Sequence, residues 1–394
     1  MNDHGVIVEV DAGYHDRENT VVYAPAPCHD EHSGHAVHEV AEDGSLGEPM
    51  PAQCVGFCDC AGEAEPDCEA MVAFIIPELK AGDKRRYAIC TDECDTDLSG
   101  GVTVEMEEGK TASFLIGGEL FTRYNFDQEQ FVRPNAFPVL GPGGVHVTEY
   151  AESDHPHHKS LYVALGEVNG FDNWSEVEGH SYIHNQCVDV LCEGPVFAQI
   201  MAINDWVDPK GSKFMEDWTI ITVYNSPDGA RLMDWDITLA ATECGIHIGD
   251  TKESGTLSVR MNTPLHVRHG GTMINAYGGI SESENWGKPS PWVDYYGEVD
   301  GVKCGLALMD SPGNLRHPTT WHVRNYGLFT ANCWGYSYFT GDQSIRGDYT
   351  MPEGDTLNFI YRVYVHAGDH LQAKTAERYF DFAFPPEVSV VDED

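Results

Sequence analysis

The stretch Arg231-Leu232-Met233-Asp234-Trp235-Asp236-Ile237-Thr238-Leu239 decides the fold class of this chain. Every second residue, from Met233 to Leu239, is apolar and falls on one face of an extended backbone. The intervening positions 232, 234, 236 and 238 fall on the other face and are mainly polar. Alternation with a period of two is typical of a β-strand that buries one face.

The same pattern recurs along the chain. Near the C-terminus, Leu357, Phe359, Tyr361, Val363 and Val365 alternate with mainly polar neighbours. Further strand-like runs, separated by Gly, Pro, Asn and Asp clusters, lie at 5–11, 111–117, 217–224, 255–261, 303–309 and 328–334. Many antiparallel strands predict a mostly β protein, a large antiparallel β-sandwich.

One helix is expected near the C-terminus, around 370–383. Ala373, Ala376, Phe380 and Ala383 follow the three-and-four spacing of one helical face there. We also expect two parts in the chain. Residues 1–105 are rich in Cys, acids, Gly and Pro and predict a smaller β-rich lead region. Residues 106–394 contain all the Trp residues and predict the sandwich that carries the active site.

Charge and composition exclude several classes of partner. The chain of 394 residues has a formal net charge of -41, and phosphate binding needs a basic face that such a chain cannot readily supply. We therefore expect neither nucleic acid nor an anionic membrane surface as a partner. The acidic residues are scattered, which favours a solubility role over bound cations. A pocket for an anionic ligand must therefore carry its own Arg and His residues.

The sequence contains no run of about 20 apolar residues, so we expect no membrane insertion. Its first residues, 1–5, lack the basic and apolar regions of a signal peptide. The expected location is cytoplasmic as the sequence stands, or periplasmic or secreted if a signal peptide has been removed. No pattern indicates the oligomeric state.

Cysteines concentrate near the N-terminus. Seven of the 12 lie between Cys28 and Cys94, including Cys54, Cys58, Cys60 and Cys68, and their spacings match no zinc ribbon or finger. In the same region, histidines recur at 29, 32, 35 and 38. A small metal-bound or disulfide-stapled insert is one interpretation. We favour reduced, partly buried thiols.

The segment Asp154-His155-Pro156-His157-His158-Lys159-Ser160 places three imidazoles beside a carboxylate. Imidazoles titrate near neutral pH and bind transition metals. In a strand, His155 and His157 would share one face and His158 would oppose them, so we expect two at most to reach one site readily unless the strand has a bulge. All three are catalytic candidates, with His155 and His157 as ligands if a divalent metal is bound. Lys159 and Asn169 are predicted to bind substrate.

A second polar segment runs from Asn314 to Gly327. Its Arg residues can hold a carboxylate or sulfate in a bidentate manner, and its His and Tyr residues can exchange protons. Its Trp offers a flat surface that suits the CH face of a sugar ring. The candidates are His322 and Tyr326 as catalytic residues, with Asn314, Arg316, His317, Trp321 and Arg324 for substrate binding.

A third segment, from Trp286 to Gly297, combines two Trp and two Tyr residues around one Asp. It is typical either of a sugar platform with an acid or of an aromatic core corner. The candidates are Asp294 for catalysis and Trp286, Trp292 and Tyr295 for substrate binding. The sequence lacks a Gly-x-Ser-x-Gly elbow, a Walker loop, a Gly-x-Gly-x-x-Gly helix start and a His-Glu-x-x-His motif. Nucleotide-driven, lipase-type and zincin chemistry are therefore not expected.

These motifs resemble a bacterial family labelled methane oxygenase PmoA-like, from about residue 5 to about residue 383. The resemblance is carried by Arg133-Pro134, Gly141-Pro142-Gly143-Gly144, Asp154 to His158, Val168-Asn169-Gly170, Trp286-Gly287, Trp292 to Tyr295 and Asn314 to Gly327. It implies an association with sugar breakdown and a fold like the supersandwich of galactose mutarotases and polysaccharide lyases. The methane label conflicts with the absence of apolar runs. Lys159 stands where relatives often have Arg, and the Cys-rich stretch is atypical.

Together, these features predict a carbohydrate-active enzyme that cleaves an acidic oligo- or polysaccharide, with β-elimination favoured over hydrolysis. Elimination needs a cation for the uronate, a base for the C5 proton and an acid for the leaving oxygen. The expected roles are Arg324 and Arg316 as cations, His157 or His322 as base, and Tyr326 or His155 as acid. Hydrolysis would need two carboxylates, and Asp294 with Asp172 or Glu167 are the candidate pairs.

Three alternatives remain open at this stage. A sugar epimerase or mutarotase would use the same His and carboxylate groups without breaking a linkage. A non-catalytic glycan-binding protein would use Trp286, Trp292 and Trp321 as a stacking platform. A metal-dependent oxidase would use the His cluster, although no cofactor is certain from the sequence.

Overall fold

The computed structural model describes residues 5–26, 34–55, 71–94, 100–226 and 229–391. The fold is mostly β, with 53% of residues in strands and 8% in helices. Within the described ranges, no helix is long and apolar enough to cross a membrane.

The strands follow one another with short connections. In chain order they are β1 (Val6–Asp11), β2 (Arg17–Pro25), β3 (Gly34–Val40), β4 (Leu46–Val55), β5 (Met71–Leu79), β6 (Lys84–Cys94), β7 (Val102–Glu107), β8 (Thr111–Ile116), β9 (Glu119–Asn125), β10 (Asn135–Val139), β11 (Leu161–Ala164), β12 (Glu167–Val168), β13 (Phe171–Asp172), β14 (Tyr182–Cys192), β15 (Phe197–Val207), β16 (Lys213–Tyr224), β17 (Arg231–Ala240), β18 (Ile246–Ile248), β19 (Gly255–Arg260), β20 (Thr272–Asn275), β21 (Trp292–Val299), β22 (Val302–Asp310), β23 (Trp321–Val323), β24 (Leu328–Ala331), β25 (Tyr349–Met351), β26 (Thr356–Ala367) and β27 (Glu387–Val390). The helices are α1 (Ser281–Asn285), α2 (Tyr336–Thr340) and α3 (Thr375–Ala383).

These strands form four antiparallel sheets. We name the two large ones the site sheet, in the order β23-β24-β19-β11-β10-β9-β8-β7, and the central sheet, in the order β14-β15-β16-β17-β26-β22-β21-β20. The N-terminal sheet has the order β2-β5-β4-β3-β6-β1-β27, and a four-stranded sheet has the order β13-β12-β18-β25.

The site sheet and the central sheet pack face to face around the main hydrophobic core. Met233, Trp235, Ile237 and Leu239 of β17 are all buried in this core, as their alternation predicts. They share it with residues of the site sheet, such as Phe114, Leu257 and Phe329. The predicted large antiparallel sandwich is therefore confirmed, and apolar burial between the two sheets is its main stabilising term.

The N-terminal sheet covers the outer face of the central sheet. Val21, Val55, Ala73 and Ile75 of this sheet pack with Tyr224, Leu232, Trp292 and Met309 of the central sheet. The C-terminal strand β27 pairs with β1 and joins both chain ends to the same sheet. Whether residues 1–105 form a separate domain stays a prediction.

The predicted C-terminal helix exists, but it begins at Thr375 and its expected buried face is wrong. Ala376 and Phe380 are exposed, whereas Thr375, Arg378, Tyr379 and Asp381 are buried. The helix buries polar residues because it faces polar groups of β2 and β21: Arg17 donates to Asp381 at 3.2 Å and Thr375 donates to Asp294 at 2.7 Å.

The cysteines are mixed in redox state. Cys54 is disulfide-bonded, so the expectation of reduced thiols is wrong there. Six others in the described ranges are reduced, namely Cys90, Cys187, Cys192, Cys244, Cys304 and Cys333. Cys28, Cys58, Cys60 and Cys68, with His29 and His32, lie outside the described residues, as do the side chains of Cys94 and His35.

A buried ion pair fastens α3 to the central sheet. Asp294 of β21 contacts His366 Nε2 of β26 at 3.1 Å and accepts the hydrogen bond from Thr375. Both ionisable side chains are almost fully buried. Burial alone would lower the pKa of His366, but the charge and hydrogen bond of Asp294 outweigh burial and raise it. The pair therefore adds stability below about pH 6.5, the unfolded-state pKa, and loses it as pH rises through the higher folded-state pKa.

We predict that Asp294→Asn lowers the free energy of unfolding by about 3 kcal/mol at pH 6, because it leaves a buried imidazolium unpaired. The loss should be smaller at a pH above the raised pKa of His366. Urea unfolding at the two pH values measures both, with the exposed Asp355→Asn as a control of equal charge change. A loss equal to that of the control, or one that grows with pH, would contradict this assignment.

Candidate active site

The floor of the site is a row of polar residues on the face of the site sheet that points away from the main core. Residues directly opposite each other on six neighbouring strands form it: Asn125, Asn135, Tyr162, Ser258, Thr330 and His322. All six are buried. Alternate residues such as Leu161, Leu257 and Phe329 enter the main core on the opposite face. A polar face at this depth is suited to hold polar side chains and a polar ligand.

A turn, not a strand, carries the histidine cluster above this floor. The backbone N–H of His158 donates to the carbonyl of His155 at 3.0 Å. The turn stacks the rings of His155 and His158 at 4.8 Å and brings the ring of His157 to 4.5 Å from that of His158. The expectation that no more than two imidazoles reach one site is therefore wrong, because it assumed an extended backbone.

Tyr326, between β23 and β24, joins the cluster from the other side. Its ring stacks on that of His155 at 4.5 Å. Two guanidinium groups lie over the Tyr326 ring, Arg260 at 5.1 Å and Arg268 at 5.3 Å. Arg324 lies over the indole of Trp286 at 5.8 Å, at the margin of the site. The His and Arg-Tyr segments, distant in sequence, thus form one surface.

Arg260, at the end of β19, holds the histidine turn in place. Its Nε donates to Glu149 at 2.8 Å, and its Nη2 donates to both oxygens of Asp154 at 3.1 and 3.0 Å. Its Nη1 lies 3.3 Å from His158 Nδ1. Because a guanidinium always donates, His158 Nδ1 is the acceptor and the imidazole is neutral in this contact.

The two carboxylates beside Arg260 are strongly stabilised as anions. Burial would raise the pKa of Glu149, but the imidazole of His266 at 3.6 Å and hydrogen bonds from Thr263 and Arg260 outweigh burial and lower the pKa to about 2. Burial likewise would raise the pKa of Asp154, but His155 and Arg260 lower it to about 2. Neither carboxyl is therefore suited to donate a proton near neutral pH.

Whereas the carboxylates are stabilised in their charged form, three of the imidazoles are stabilised in their neutral form, because their pKa values are lowered. Burial lowers the pKa of His157, and the charge of His155 lowers it further. Burial also lowers the pKa of His158, with contributions from His157 and Arg260. The pKa of His322 is far below its usual value because this ring is fully buried. A partly exposed, neutral imidazole such as His157 is a suitable proton acceptor.

A loop over residues 172–181 covers one end of the floor. The indole of Trp174 lies 6.0 Å from the ring of His158, 6.2 Å from His322 and 5.7 Å from Tyr162. The same loop places Glu176 against Lys159, with 3.2 Å between Lys159 Nζ and Glu176 Oε2.

Seven of the sequence-predicted site residues come together above the floor, in addition to His322 within it. They are His155, His157, His158, Lys159, Trp286, Arg324 and Tyr326. Their assignment to catalysis or binding stays a prediction.

The predicted aromatic platform is wrong in three of its members. Trp292 packs between the central and N-terminal sheets, where Val21 and Ile75 cover it. Trp321 and Tyr295 are 0% exposed in the main core, and the Trp321 indole N–H donates to the carbonyl of Ser290 at 2.8 Å. These rings cannot stack on a sugar because protein atoms already cover both faces.

Other predicted residues have structural contacts instead. Asp294 is fully buried beside His366 on the outer side of the central sheet, away from the imidazole cluster. Arg316 donates to the carbonyls of Cys333, Gly347 and Asp348. Asn314 and His317 both bond to Asp310, at 2.8 and 2.7 Å. Asn169 bonds to the backbone of Gly245 and His247.

His322 belongs to the floor but lies beneath Trp174, with 1% exposure. A substrate cannot reach it without displacing that indole, so the alternative of His322 as base is not supported by the geometry.

Sequence reasoning missed several residues of the site. Arg260 is a single cation within a strand-like run, and Arg268 lies between His266 and His269 in a segment that sequence reasoning did not select. Strand pairing brings Tyr162 into the site. The loop after β13 brings Glu176 there, and the contact with Arg260 brings Glu149 there. Arg260 follows Ser258 on the polar face of β19, so the alternation of the 255–261 run contained a usable signal.

The geometry does not favour the suggested metal site at His155 and His157. Among the described residues, no group of three or more His, Cys, Asp or Glu is arranged to hold a metal ion. His158 does not add a further ligand to this pair, because its ring stacks nearly parallel to that of His155, with 6° between the ring planes. The guanidinium at His158 Nδ1 also opposes a second cation there.

A large antiparallel sandwich with imidazoles and cations on the polar face of one sheet defines the class of this protein. The chain belongs to the DUF6807 family, a family of unknown function, whose profile matches residues 111–381. The match includes the whole imidazole cluster and names no activity. The resemblance to the family labelled methane oxygenase, and its link to sugars, stay predictions. No curated protein matches the sequence.

Two solved structures are similar in overall outline. One is the crystal structure of an alpha-mannosidase from Enterococcus faecalis V583, with 9% identity and a TM-score of 0.44. The other is a protein in the Glycosyl Hydrolase Family 38 from Enterococcus faecalis, with 10% identity and a TM-score of 0.43. Both alignments cover 100% of this chain but 47% and 48% of the other chains, so this chain spans about half their length. At these values the likeness carries no argument about activity.

We predict that the imidazole of His157 is neutral at pH 6.5 and takes up a proton below that pH, because burial and His155 lower its pKa. Nitrogen-15 NMR of histidine-labelled protein measures this protonation directly, with His157→Gln to assign the resonance. A titration midpoint at or above pH 6.5 would contradict the predicted role of His157 as a base.

Proposed function

We propose that this protein is a carbohydrate-active enzyme that cleaves an acidic oligo- or polysaccharide by β-elimination. The observation that carries the proposal is a partly exposed imidazole with a lowered pKa, that of His157, in a cluster that also contains Tyr326 and the cationic groups of Arg268 and Arg324. Removal of a proton next to a carboxylate, with loss of the leaving oxygen, requires these three groups: a base, an acid and a cation that stabilises the carboxylate.

His157 is the proposed base. It is the member of the cluster that combines partial exposure with a lowered pKa. His158 is buried and engaged by Arg260, which makes it a support for the neighbouring rings. In the proposed reaction, His157 accepts the C5 proton, and the electron pair left at C5 forms the C4–C5 double bond.

Tyr326 is the proposed acid. Burial raises the pKa of its phenol, so the group keeps its proton at neutral pH. As the bond between C4 and the leaving oxygen breaks, Tyr326 gives its proton to that oxygen. His155, stacked on Tyr326, lies between the acid and the base and keeps their rings in one row.

Arg268 and Arg324 are the proposed cations for the uronate at the reacting ring. Arg268 is exposed beside Tyr326, and among the described residues it has no ion-pair partner. Arg324 lies 3.6 Å from Glu282, a distance longer than a hydrogen bond. Both guanidinium groups can thus approach a carboxylate and stabilise the charge that develops on it.

Hydrolysis is less well supported because the carboxylates are already engaged. Asp294 lies on the outer side of the central sheet, which removes the predicted hydrolytic pairs with Asp172 and Glu167. Asp172 itself accepts hydrogen bonds from the backbone of Trp174 and Ser175. Glu149 and Asp154 both accept hydrogen bonds from Arg260.

Sugar epimerisation is the second candidate. It needs the same proton abstraction beside a carboxylate, and the adjacent, partly exposed rings of His155 and His157 offer two proton carriers 5.7 Å apart. It differs in returning the proton to carbon instead of expelling an oxygen.

We predict that incubation with polygalacturonate or alginate produces the ultraviolet absorbance of an unsaturated uronate. His157→Gln and Tyr326→Phe should each lower kcat by about 100-fold or more, because each removes one proton-transfer group. Activity should persist to below pH 6.5, because the base must be neutral and its pKa is lowered.

His247→Gln is the matched control, since His247 is exposed on β18 and bonds to Thr350 away from the cluster. New reducing ends without the absorbance would contradict elimination in favour of hydrolysis. Inversion of a ring carbon without chain cleavage, seen by NMR, would favour the epimerase.

A further inference from the structure

We propose that Arg133 and Lys159 form a carboxylate-binding subsite for an acidic sugar, and that Glu176 occupies this subsite as a displaceable internal counter-ion. The inference rests on the proposed function for the class of ligand. It assigns a binding role to Arg133 and a competing role to Glu176, neither of which follows from the chemistry at His157.

Arg133 is an unusual buried cation. It is 1% exposed, and its three side-chain nitrogens have no hydrogen-bond partner among the described residues. Its guanidinium lies over the ring of Tyr162 at 5.8 Å, on the floor of the site. The hydroxyl of Tyr162 is also buried without a partner in the described part of the chain. Buried charged donors are costly when unsatisfied, so this position favours a ligand with acceptor oxygens.

Lys159 lies on the other side of the same space. Its Nζ donates to the carbonyl of Pro156 at 2.7 Å, within the histidine turn, and lies 5.3 Å from the centre of the Tyr150 ring. Lys159 is also largely buried. The two cations are therefore fixed by the floor and by the turn, and both are shielded from the solvent that would weaken their attraction for an anion.

Glu176 now bridges the two cations. Its Oε2 lies 3.2 Å from Lys159 Nζ, and its Oε1 lies 3.6 Å from Arg133 Nη2. One carboxylate thus presents one oxygen to each cation, which is the arrangement a uronate carboxylate would adopt. The contact with Arg133 is longer than a hydrogen bond, and Glu176 Oε1 is buried without one. A carboxylate free to move closer would form the stronger charge-assisted hydrogen bonds.

The position of Glu176 in its loop suits displacement. The base of the loop is tied, since the backbone N–H of Ser181 donates to the carbonyl of Asp172 at 2.7 Å. Glu176 itself has a φ of 54°, a left-handed conformation that disfavours a side chain other than Gly, Asn or Asp. The next residues, Val177 and Glu178, are exposed. Movement of 176–180 would therefore release strain without unfolding the base of the loop.

The test is titration calorimetry of the full chain with D-glucuronate, and with D-glucose as the uncharged counterpart. Glu176→Gln keeps the size of the side chain and removes the competing charge. If the open subsite is about one tenth populated in the wild-type protein, this change should tighten glucuronate binding about tenfold and leave glucose binding unchanged.

Glu178→Gln is the matched control, because it removes the same charge from an exposed position in the same loop. It should not change glucuronate binding. Lys159→Gln should weaken glucuronate binding, and adding Glu176→Gln to that variant should restore much less than tenfold, because the two residues act on the same subsite.

Several results would overturn the inference. They are no gain in Glu176→Gln, an equal gain in Glu178→Gln, an equal gain for glucose, or no glucuronate binding by either the wild type or Glu176→Gln. Turnover of a uronate polymer without the Glu176 effect would reject the subsite and keep the proposed elimination. Tighter glucuronate binding in Glu176→Gln, without turnover of any uronate polymer, would support the subsite and reject the proposed elimination.

Discussion

The candidate site depends on one buried guanidinium, that of Arg260. A charge at this depth must be paired, and Arg260 meets the requirement with Glu149, Asp154 and His158, which lie on the segment between β10 and β11. That segment is thereby bound to the end of β19. Because the pairing uses both carboxylates and one imidazole nitrogen, it fixes the direction of the histidine turn and leaves His157 at the surface.

The electrostatics of the site run against those of the whole molecule. The chain carries a net charge of -41, yet the site gathers Arg133, Lys159, Arg260, Arg268 and Arg324 near the imidazole cluster. Within this local cationic surface an acidic sugar can be held while the general surface repels other anions. In the proposed function, the cations bind the carboxylate of the sugar, and the imidazole of His157 accepts the proton.

The fold was largely predictable, because it depends on short-range alternation. Met233 to Leu239 and Leu357 to Val365 show their buried faces directly, and both runs lie in the main core. The site was predictable in part. Clustered motifs indicated His155 to His158 and Tyr326, but Arg260, Tyr162 and Glu149 enter the site through register between strands far apart in sequence. Trp292, Trp321 and Asp294 were misassigned because sequence does not distinguish an exposed aromatic or acidic residue from one that a neighbouring sheet covers. The face of α3 was wrong for a similar reason: it packs against polar groups of β2 and β21.

The central claim is that the histidine turn and the Arg-Tyr segment at 324–327 form one surface that binds one acidic sugar. A crystal structure of the protein with an acidic oligosaccharide bound tests this most directly. We predict a uronate ring beside Tyr326, with its carboxylate within hydrogen-bond distance of an Arg and its C5 about 3–3.5 Å from a nitrogen of His157. An oligosaccharide bound on any other surface, with the imidazole cluster unchanged, would contradict the account.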